Sequence, residues 1–216
     1  RNDFLKKINR IVIVACGTSW HAGLVGEFML EELAKIPTEV EYASEFRYRH
    51  PLLDKNTLVI AISQSGETAD TISALKEAKK YCKTLSICNV IDSSITRTSN
   101  GIIYTRAGPE IGVASTKAFT TQLAVLYLLT VLLSKIRKNL SEEQIKSMID
   151  GIRKIPLQLP SVLHEDDEIL KCAELYHRKL NSLYLGRGVN FPIALEGALK
   201  LKEVSYIHAE GYPAAE

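Results

Sequence analysis

The segment TLVIAIS at Thr57–Ser63, which runs into Gln64-Ser65-Gly66-Glu67-Thr68, decides the fold class of this chain. An unbroken apolar run is typical of a strand in a parallel sheet that helices cover on both faces. Further strand-like runs lie at residues 10–15, 39–42, 84–90 and 101–105, and helix-period segments lie at 20–36 and 67–81. This alternation predicts an α/β domain over residues 1–138, a doubly wound parallel five-stranded sheet of the flavodoxin-like type.

The chain changes character after residue 138. Residues 139–180 are charged, helical in period and interrupted by Pro156 and Pro160, which predicts a helical connector. A new strand at 182–185 then runs into Gly186-Arg187-Gly188 and another helix, over about 192–208. A displacement of 171 aligns residues 12–45 with 183–216 at nine identical positions, the last pairing Glu45 with Glu216. The repeat predicts that residues 181–216 begin a second, truncated domain with a single βα unit.

Composition argues against a nucleic-acid partner, a metal site and a membrane span. The 216 residues are 46% hydrophobic and 24% charged with a net charge of +2, which is typical of a soluble globular domain and gives no electrostatic case for a nucleic-acid partner. The four cysteines form neither a C-x-x-C pair nor a zinc spacing, so we expect reduced thiols, no metal site and a cytoplasmic location. The apolar segment 118–133 is shorter than the ~20 residues of a membrane span and is expected to be a core helix.

Small and hydroxylic residues follow two of the predicted strands. The first set follows the strand at 57–63 and the second follows the strand at 10–15; they are Ser63, Gln64, Ser65 and Thr68, and Cys16, Gly17, Thr18 and Ser19. A helix N-terminus with uncharged donors at the carboxyl end of a parallel strand is typical of a phosphate site. The simpler alternatives are an ordinary serine N-cap and a tight βα turn. No P-loop and no complete dinucleotide fingerprint is present, so a nucleotide ligand is disfavoured.

Ionisable residues that could perform chemistry lie on the last predicted helix. Glu196, Lys200 and Glu203 are spaced by four and three residues, share one arc of the helix and have apolar residues on both sides. A carboxylate beside a lysine in a cleft could serve as a general base, whereas the alternative is a salt-bridge ladder on an exposed face. His21, His50, His164 and His177 form no pattern and are predicted to be structural or surface residues; His208 is left undecided.

The motifs SQSGETADT, ACGTS, ASEFRYR, GPEIGVASTKAFTTQL, ALEGALKLKE and SYIHAE together resemble the isomerase half of the glucosamine-6-phosphate synthase family. That half is built from two sugar-isomerase (SIS) domains, and the resemblance covers residues 11–216. It implies that fructose-6-phosphate or glucosamine-6-phosphate binds without cofactor or metal. The implied phosphate ligands are Ser63, Gln64, Ser65 and Thr68 with Thr18 beside them, and the sugar is lined by Val113 and Ser115. Glu203 matches the base that moves a proton between C1 and C2 of a fructosimine, supported by Lys200 and Glu196.

The resemblance also implies partners. In that family fructose-6-phosphate and ammonia give glucosamine-6-phosphate, a glutaminase domain supplies the ammonia, and the enzyme is a homodimer. The glutaminase domain, a ring-opening histidine and a C-terminal lysine have no counterpart in these 216 residues. We therefore expect a fragment that binds its ligand without turnover. The alternative is a SIS module that senses a sugar phosphate and regulates a partner, which needs the phosphate site but not the charged residues of the last helix.

Overall fold

The computed structural model describes residues 2–164 and 166–215, so Arg1, Glu165 and the Glu45/Glu216 match of the repeat lie outside what it describes. Five strands form one parallel sheet in the order β2-β1-β3-β4-β5: β1 (Arg10–Ala15), β2 (Thr38–Tyr42), β3 (Thr57–Ser63), β4 (Lys83–Cys88) and β5 (Gly101–Tyr104). This order is the flavodoxin-like one. The predicted fold class is confirmed, and each predicted strand is present within two residues of its expected ends.

The apolar run of β3 is buried along its whole length because helices cover both faces of the sheet. Successive side chains of a strand point to opposite faces. Ile60 and Ile62 pack in one core with α2 (Thr18–Met29) and α6 (Lys117–Arg137). Val59 and Ala61 pack in the other core, against α3 (Ala43–Tyr48), α4 (Ala69–Ala78) and α5 (Ser94–Thr98). A short helix, α1 (Asn2–Lys7), precedes β1, and a π-helical turn at Leu30–Ala34 ends the α2 segment.

The long apolar segment forms α6, a core helix as expected. Its 21 residues are apolar enough to cross a membrane by length and composition alone. In the fold, Phe119, Leu126 and Leu133 pack into the core beside the sheet. The buried hydroxyl of Thr130 donates to the carbonyl of Leu126 at 2.8 Å, so its polar group is paired within the helix. These contacts identify α6 as part of the α/β core.

The connector is helical, as predicted, but its prolines do not interrupt it. It forms α7 (Glu142–Leu163), which begins with a capping box between Ser141 and Gln144, and α8 (Asp166–Tyr176). Pro156 and Pro160 lie inside α7, although each removes a backbone donor. Both prolines are exposed, so water can bond the backbone carbonyls that lose their helical partners.

The last residues form a βαβ unit, and the prediction of a single βα unit was wrong. Strands β6 (Asn181–Gly186) and β7 (His208–Pro213) pair in parallel, joined by α9 (Asn190–Ser205). The predicted helix over 192–208 ends at Ser205 because Tyr206 adopts a left-handed conformation with φ of 59°. His208 therefore begins a strand.

The three-dimensional elements follow the sequence repeat. Residues 171 positions apart correspond: β1 corresponds to β6, and Gly17 corresponds to Gly188. Both glycines have φ of +56°. Lys35 also corresponds to Tyr206, and both end a helical segment in the left-handed region. The divisions at residues 138 and 180 stay predictions, since α9 also packs against α2 of the first unit.

Candidate functional site

The candidate site lies where the strand order of the five-stranded sheet reverses. β1 pairs with β2 on one side and with β3 on the other, and all three are parallel. The helix after β1 packs on one face of the sheet and the helix after β3 packs on the opposite face. Open α/β sheets bind ligands in the crevice that such a switch point leaves beyond the carboxyl ends of the strands. The turns at 16–19 and 63–68 therefore lie on the two sides of this crevice.

The loop 63–68 is shaped by its own hydroxyl groups. The buried Ser63 Oγ accepts the backbone N–H of Gly66 at 3.0 Å and lies 3.3 Å from Thr68 Oγ1. Ser65 Oγ accepts the N–H of Glu67 at 3.2 Å, and both Ser65 and Gln64 are partly exposed. Ser63 thus supports the loop from inside, whereas Gln64, Ser65 and Thr68 remain at its surface.

The N-terminus of α4 completes this loop. α4 begins at Ala69, and its N-cap residue Thr68 makes no side-chain cap bond. The first N–H groups of a helix have no partner within the helix and carry its positive dipole end. The loop and the helix end together form a cradle of uncharged hydrogen-bond donors suited to a phosphate group, since the carboxylate of Glu67 is bonded to α5 instead.

Neighbouring residues hold the cradle against α5. Gly66 has φ of +71°, and its carbonyl accepts the N–H of Ile95 at 3.0 Å. Glu67 Oε1 accepts the N–H of Ser94 at 2.8 Å, and this hydrogen bond is the main reason why the pKa of Glu67 is lowered. Two bonds at consecutive residues therefore fix the position of the loop before any ligand binds.

The turn after β1 does not present all four of its predicted residues to the crevice. Gly17 is the N-cap of α2, and Cys16 Sγ lies 4.0 Å from Thr71 Oγ1. Ser19 is buried, and its hydroxyl accepts from Gln122 Nε2 of α6 at 3.0 Å, so it supports the turn from behind. Thr18 Oγ1 donates to Glu196 Oε1 at 3.0 Å, which uses the single hydroxyl hydrogen that a phosphate would need.

The charged residues of α9 lie against this turn. Lys200 Nζ donates to Thr18 Oγ1 at 3.1 Å and to Glu203 Oε2 at 2.5 Å, and it lies 3.4 Å from Glu196 Oε1. The side chains become more accessible along the helix, from 8% at Glu196 through 23% at Lys200 to 31% at Glu203. We call Glu196, Lys200 and Glu203 the charged triplet. Its contacts with α2 favour the cleft over the alternative of a ladder on an exposed face.

His21 contacts the charged triplet through Glu196, a contact that no sequence pattern predicted. Its Nδ1 lies 2.7 Å from Glu196 Oε2, and both residues are buried. The signal was the spacing of Thr18 and His21, which lie three residues apart and share one face of α2. That spacing predicts a shared contact only when it is known that α9 packs on this face of α2.

The loop 106–116, which carries Val113 and Ser115, is held by Glu110. The Glu110 carboxylate accepts from Ser115 Oγ at 3.1 Å, from the N–H of Thr116 at 2.8 Å and from the N–H of Ala118 at 3.4 Å. Partial burial acts to raise the pKa of Glu110, but these hydrogen bonds outweigh it and the pKa is lowered. Val113 is 95% exposed, so the structure brings Ser115 to Glu110 and leaves Val113 in solvent.

Grooves lie at both ends of the strands of the sheet. A shallow groove adjoining Gln64 is lined by Asn89, Arg106 and Glu110. A larger groove lies at the opposite end of the strands, between Leu5, Leu58 and Leu129, away from the hydroxyl groups and the charged triplet. Within residues 2–164 and 166–215 no cluster of three or more histidine, cysteine or acidic side chains is placed to hold a metal ion.

Comparisons with known proteins show the family of this chain and its similarity to other proteins. Residues 4–132 match the model of the SIS domain family. Two curated relatives, both named glutamine–fructose-6-phosphate aminotransferase [isomerizing], are 57% identical in Chlorobaculum tepidum and 54% identical in Methanosarcina acetivorans. Each match covers 99% of this chain and 35% of the relative, so the chain spans about a third of the length of these proteins.

A solved structure is similar over the whole chain. It is the C-terminal domain of glucosamine-fructose-6-phosphate aminotransferase from Francisella tularensis, with 46% identity and a TM-score of 0.97. The similarity covers 100% of this chain and 61% of that one. The five-stranded sheet and the βαβ unit that follows it therefore both have counterparts in that structure.

Proposed function

Because this chain belongs to the SIS domain family, we propose that it binds a sugar phosphate between β1 and β3 and forms the isomerase region of a glutamine–fructose-6-phosphate aminotransferase. The ligand in this proposal is fructose-6-phosphate as substrate or glucosamine-6-phosphate as product. The high identity to relatives of that name supports the choice. The uncharged donors of the cradle at 63–68 support it independently, since they suit a phosphate ester.

In the proposed complex the phosphate lies on the cradle. The backbone N–H groups at the start of α4 and the side chains of Gln64, Ser65 and Thr68 donate to its oxygens. Thr18 contributes from the turn after β1 through its backbone N–H at the start of α2, because its hydroxyl hydrogen is engaged by Glu196. Val113 and Ser115 contact the sugar from the loop that Glu110 holds.

The proposed chemistry is a proton transfer by Glu203. The ketone of fructose-6-phosphate condenses with ammonia, releases water and leaves an imine at C2. The Glu203 carboxylate removes a proton from C1 and a proton is delivered to C2, while the hydroxyl at C1 loses its hydrogen as the imine nitrogen gains one. The product carries an aldehyde at C1 and an amino group at C2. Once the imine has formed, the remaining steps move only protons, so the proposal needs neither a metal nor an organic cofactor.

The observation that carries the proposal is the double contact of Lys200. Its ammonium group reaches Thr18, beside the cradle, and Glu203, the proposed base. The base is thereby tied to the turn that borders the bound phosphate. Glu196 supports Lys200 from the buried end of the charged triplet.

We extend the proposal to the surroundings of this region. In the full-length protein a glutaminase domain supplies ammonia from glutamine, and two copies of the protein associate as a homodimer. The location is the cytoplasm, where Cys16, Cys82, Cys88 and Cys172 stay reduced; the structure leaves all four as free thiols.

The test is the substitution Glu203→Gln in the full-length protein, which keeps the size of the side chain and removes the base. We expect turnover of fructose-6-phosphate with glutamine to fall by about 10²-fold or more, with little change in substrate affinity. Glu174→Gln, at an exposed position of α8, is the matched control and should behave like the unsubstituted protein. Nearly normal turnover in Glu203→Gln would contradict the assignment. Sugar-phosphate binding without turnover in the unsubstituted protein would favour the sensing module instead.

A further inference from the structure

We propose that His21 is a positioning residue that directs Lys200 toward Glu203. The inference rests on the proposed role of Glu203 as the base. His21 does not belong to the charged triplet and lies on α2, in the first unit of the fold, whereas the triplet lies on α9. The hydrogen bond between His21 and Glu196 crosses the contact between these two helices.

The geometry gives each oxygen of Glu196 a different set of partners. Oε1 accepts from Thr18 Oγ1 at 3.0 Å and lies 3.4 Å from Lys200 Nζ. Oε2 lies 2.7 Å from His21 Nδ1. A carboxylate that receives a hydroxyl hydrogen and lies beside an ammonium group acts as the acceptor, so Nδ1 carries the hydrogen and donates it.

His21 matters because Glu196 and Glu203 compete for the same ammonium group. Lys200 lies 2.5 Å from Glu203 and 3.4 Å from Glu196, so the ammonium group sits nearer the proposed base. Without the donor on His21, Oε2 of the buried Glu196 would lose its only hydrogen-bond partner in the described part of the chain, which is costly. Rotation of Glu196 toward Lys200 would relieve that cost. Lys200 would then be drawn away from Glu203, and the base would lose its orientation.

The surroundings of His21 restrain its ring. Trp20 packs edge-on against it with ring centroids 5.4 Å apart, and Trp20 is itself stacked on Tyr42 at 4.2 Å. The residue is 8% exposed. The imidazole therefore has one orientation in which Nδ1 meets Glu196, and the aromatic neighbours maintain it.

The test compares His21→Leu, which removes the donor, with His21→Asn, whose amide nitrogen lies close to the position of Nδ1 and can donate. Both are made in the full-length protein, with kcat and KM for fructose-6-phosphate and the urea unfolding midpoint measured for each. For His21→Leu we expect kcat to fall by about 10- to 100-fold with KM nearly unchanged. His21→Asn should recover most of the kcat. A merely structural role would instead lower kcat in both variants in step with their loss of stability, and this result would overturn the proposal.

A second measurement needs no variant of His21. In the 216-residue chain labelled with ¹⁵N-histidine, NMR should show that His21 Nδ1 carries the hydrogen, and Glu196→Gln should shift that signal. A bare Nδ1 would overturn the proposal even if His21→Leu fails to fold. A full-length protein without isomerase activity would refute the proposed function and, with it, any catalytic role of His21. An active protein whose His21→Leu variant keeps its kcat would refute the role of His21 alone.

Discussion

Replacement of Gly66 by alanine tests the cradle most directly, because two separable costs act at this residue. Its φ of +71° lies in the left-handed region. A Cβ atom would lie 2.1 Å from Ser93 Oγ, 2.6 Å from Ser93 Cβ and 2.8 Å from Cys88 Sγ. The Ser93 hydroxyl can rotate away, but Ser93 Cβ and the buried Cys88 cannot yield without moving α5 or β4. The loop must therefore shift.

The expected loss follows from these two costs. A left-handed conformation costs an alanine roughly 1–2 kcal/mol, and overpacking of a filled site costs about 1–3 kcal/mol. The smaller conformational freedom of alanine in the unfolded chain offsets about 0.4–1 kcal/mol. We expect the free energy of unfolding to fall by about 1–4.5 kcal/mol, and the affinity for fructose-6-phosphate to fall with it, since Gly66 lies between Ser65 and Thr68.

Two other glycines serve as matched controls. Gly17 has a similar φ of +56° but no atom within 4 Å of an added Cβ, so Gly17→Ala should show the backbone cost alone, about 1 kcal/mol. Gly151 lies in α7 with open space around it, and Gly151→Ala should gain about 0.5–1 kcal/mol. Urea unfolding of the 216-residue chain measures all three variants, and calorimetry measures ligand affinity. Equal losses in Gly66→Ala and Gly17→Ala would refute the steric argument at Gly66.

Two further predictions concern the ligand loops. Ser65→Ala should weaken binding of fructose-6-phosphate by about 1 kcal/mol or more, measured by calorimetry, and equal affinity for fructose and its 6-phosphate in the unsubstituted chain would exclude the cradle as a phosphate site. Glu110→Gln removes a carboxylate whose pKa is lowered in the folded state. A lowered pKa stabilises the fold above the ordinary value of 4.5, and this contribution is lost as the pH falls through the folded pKa. The difference in unfolding midpoint between the unsubstituted chain and Glu110→Gln should therefore be largest above pH 5 and shrink on acidification; a constant difference would contradict the role of Glu110.

The strands of the sheet could be predicted from the sequence because a strand buried on both faces is a continuous run of apolar residues. The run TLVIAIS at Thr57–Ser63 has polar residues only at its two ends, and the structure buries all seven residues. The position of the candidate site followed from the same strands, since hydroxylic residues directly after β1 and β3 must lie at one edge of a parallel sheet. Local pattern and strand order were sufficient for this part of the molecule.

The end of α9 could not be predicted from local pattern. Helices commonly end at a left-handed glycine, but here Tyr206 adopts that conformation, so the usual stop signal is missing. The repeat contained the information, because its displacement carries β2 onto residues 209–213, the greater part of β7. The helical period of residues 192–208 predicted a continuous helix there, so the strand β7 was not predicted.

Contacts between residues far apart in the sequence could not be predicted either. Thr18 and Lys200 are 182 residues apart in sequence, and His21 and Glu196 are 175 apart. No local pattern reports which face of α2 meets which face of α9. Glu110 was missed for a different reason, since a carboxylate that caps a helix from seven residues before its start leaves no regular spacing.

The same separation in sequence has a consequence for how the site assembles. The cradle comes from neighbouring strands and can form with the five-stranded sheet, whereas the charged triplet reaches Thr18 only after α9 docks on α2. Closing so long a loop costs conformational entropy, so we expect this docking to come late in folding. Undocking of α9 together with β6 and β7 breaks few contacts with the five-stranded sheet, so we expect a sub-global opening that costs less than unfolding the core. If the proposed function holds, the ligand site can stay intact while the proposed base leaves and returns. The arrangement that permits catalysis would then have an equilibrium of its own, separate from the stability of the fold.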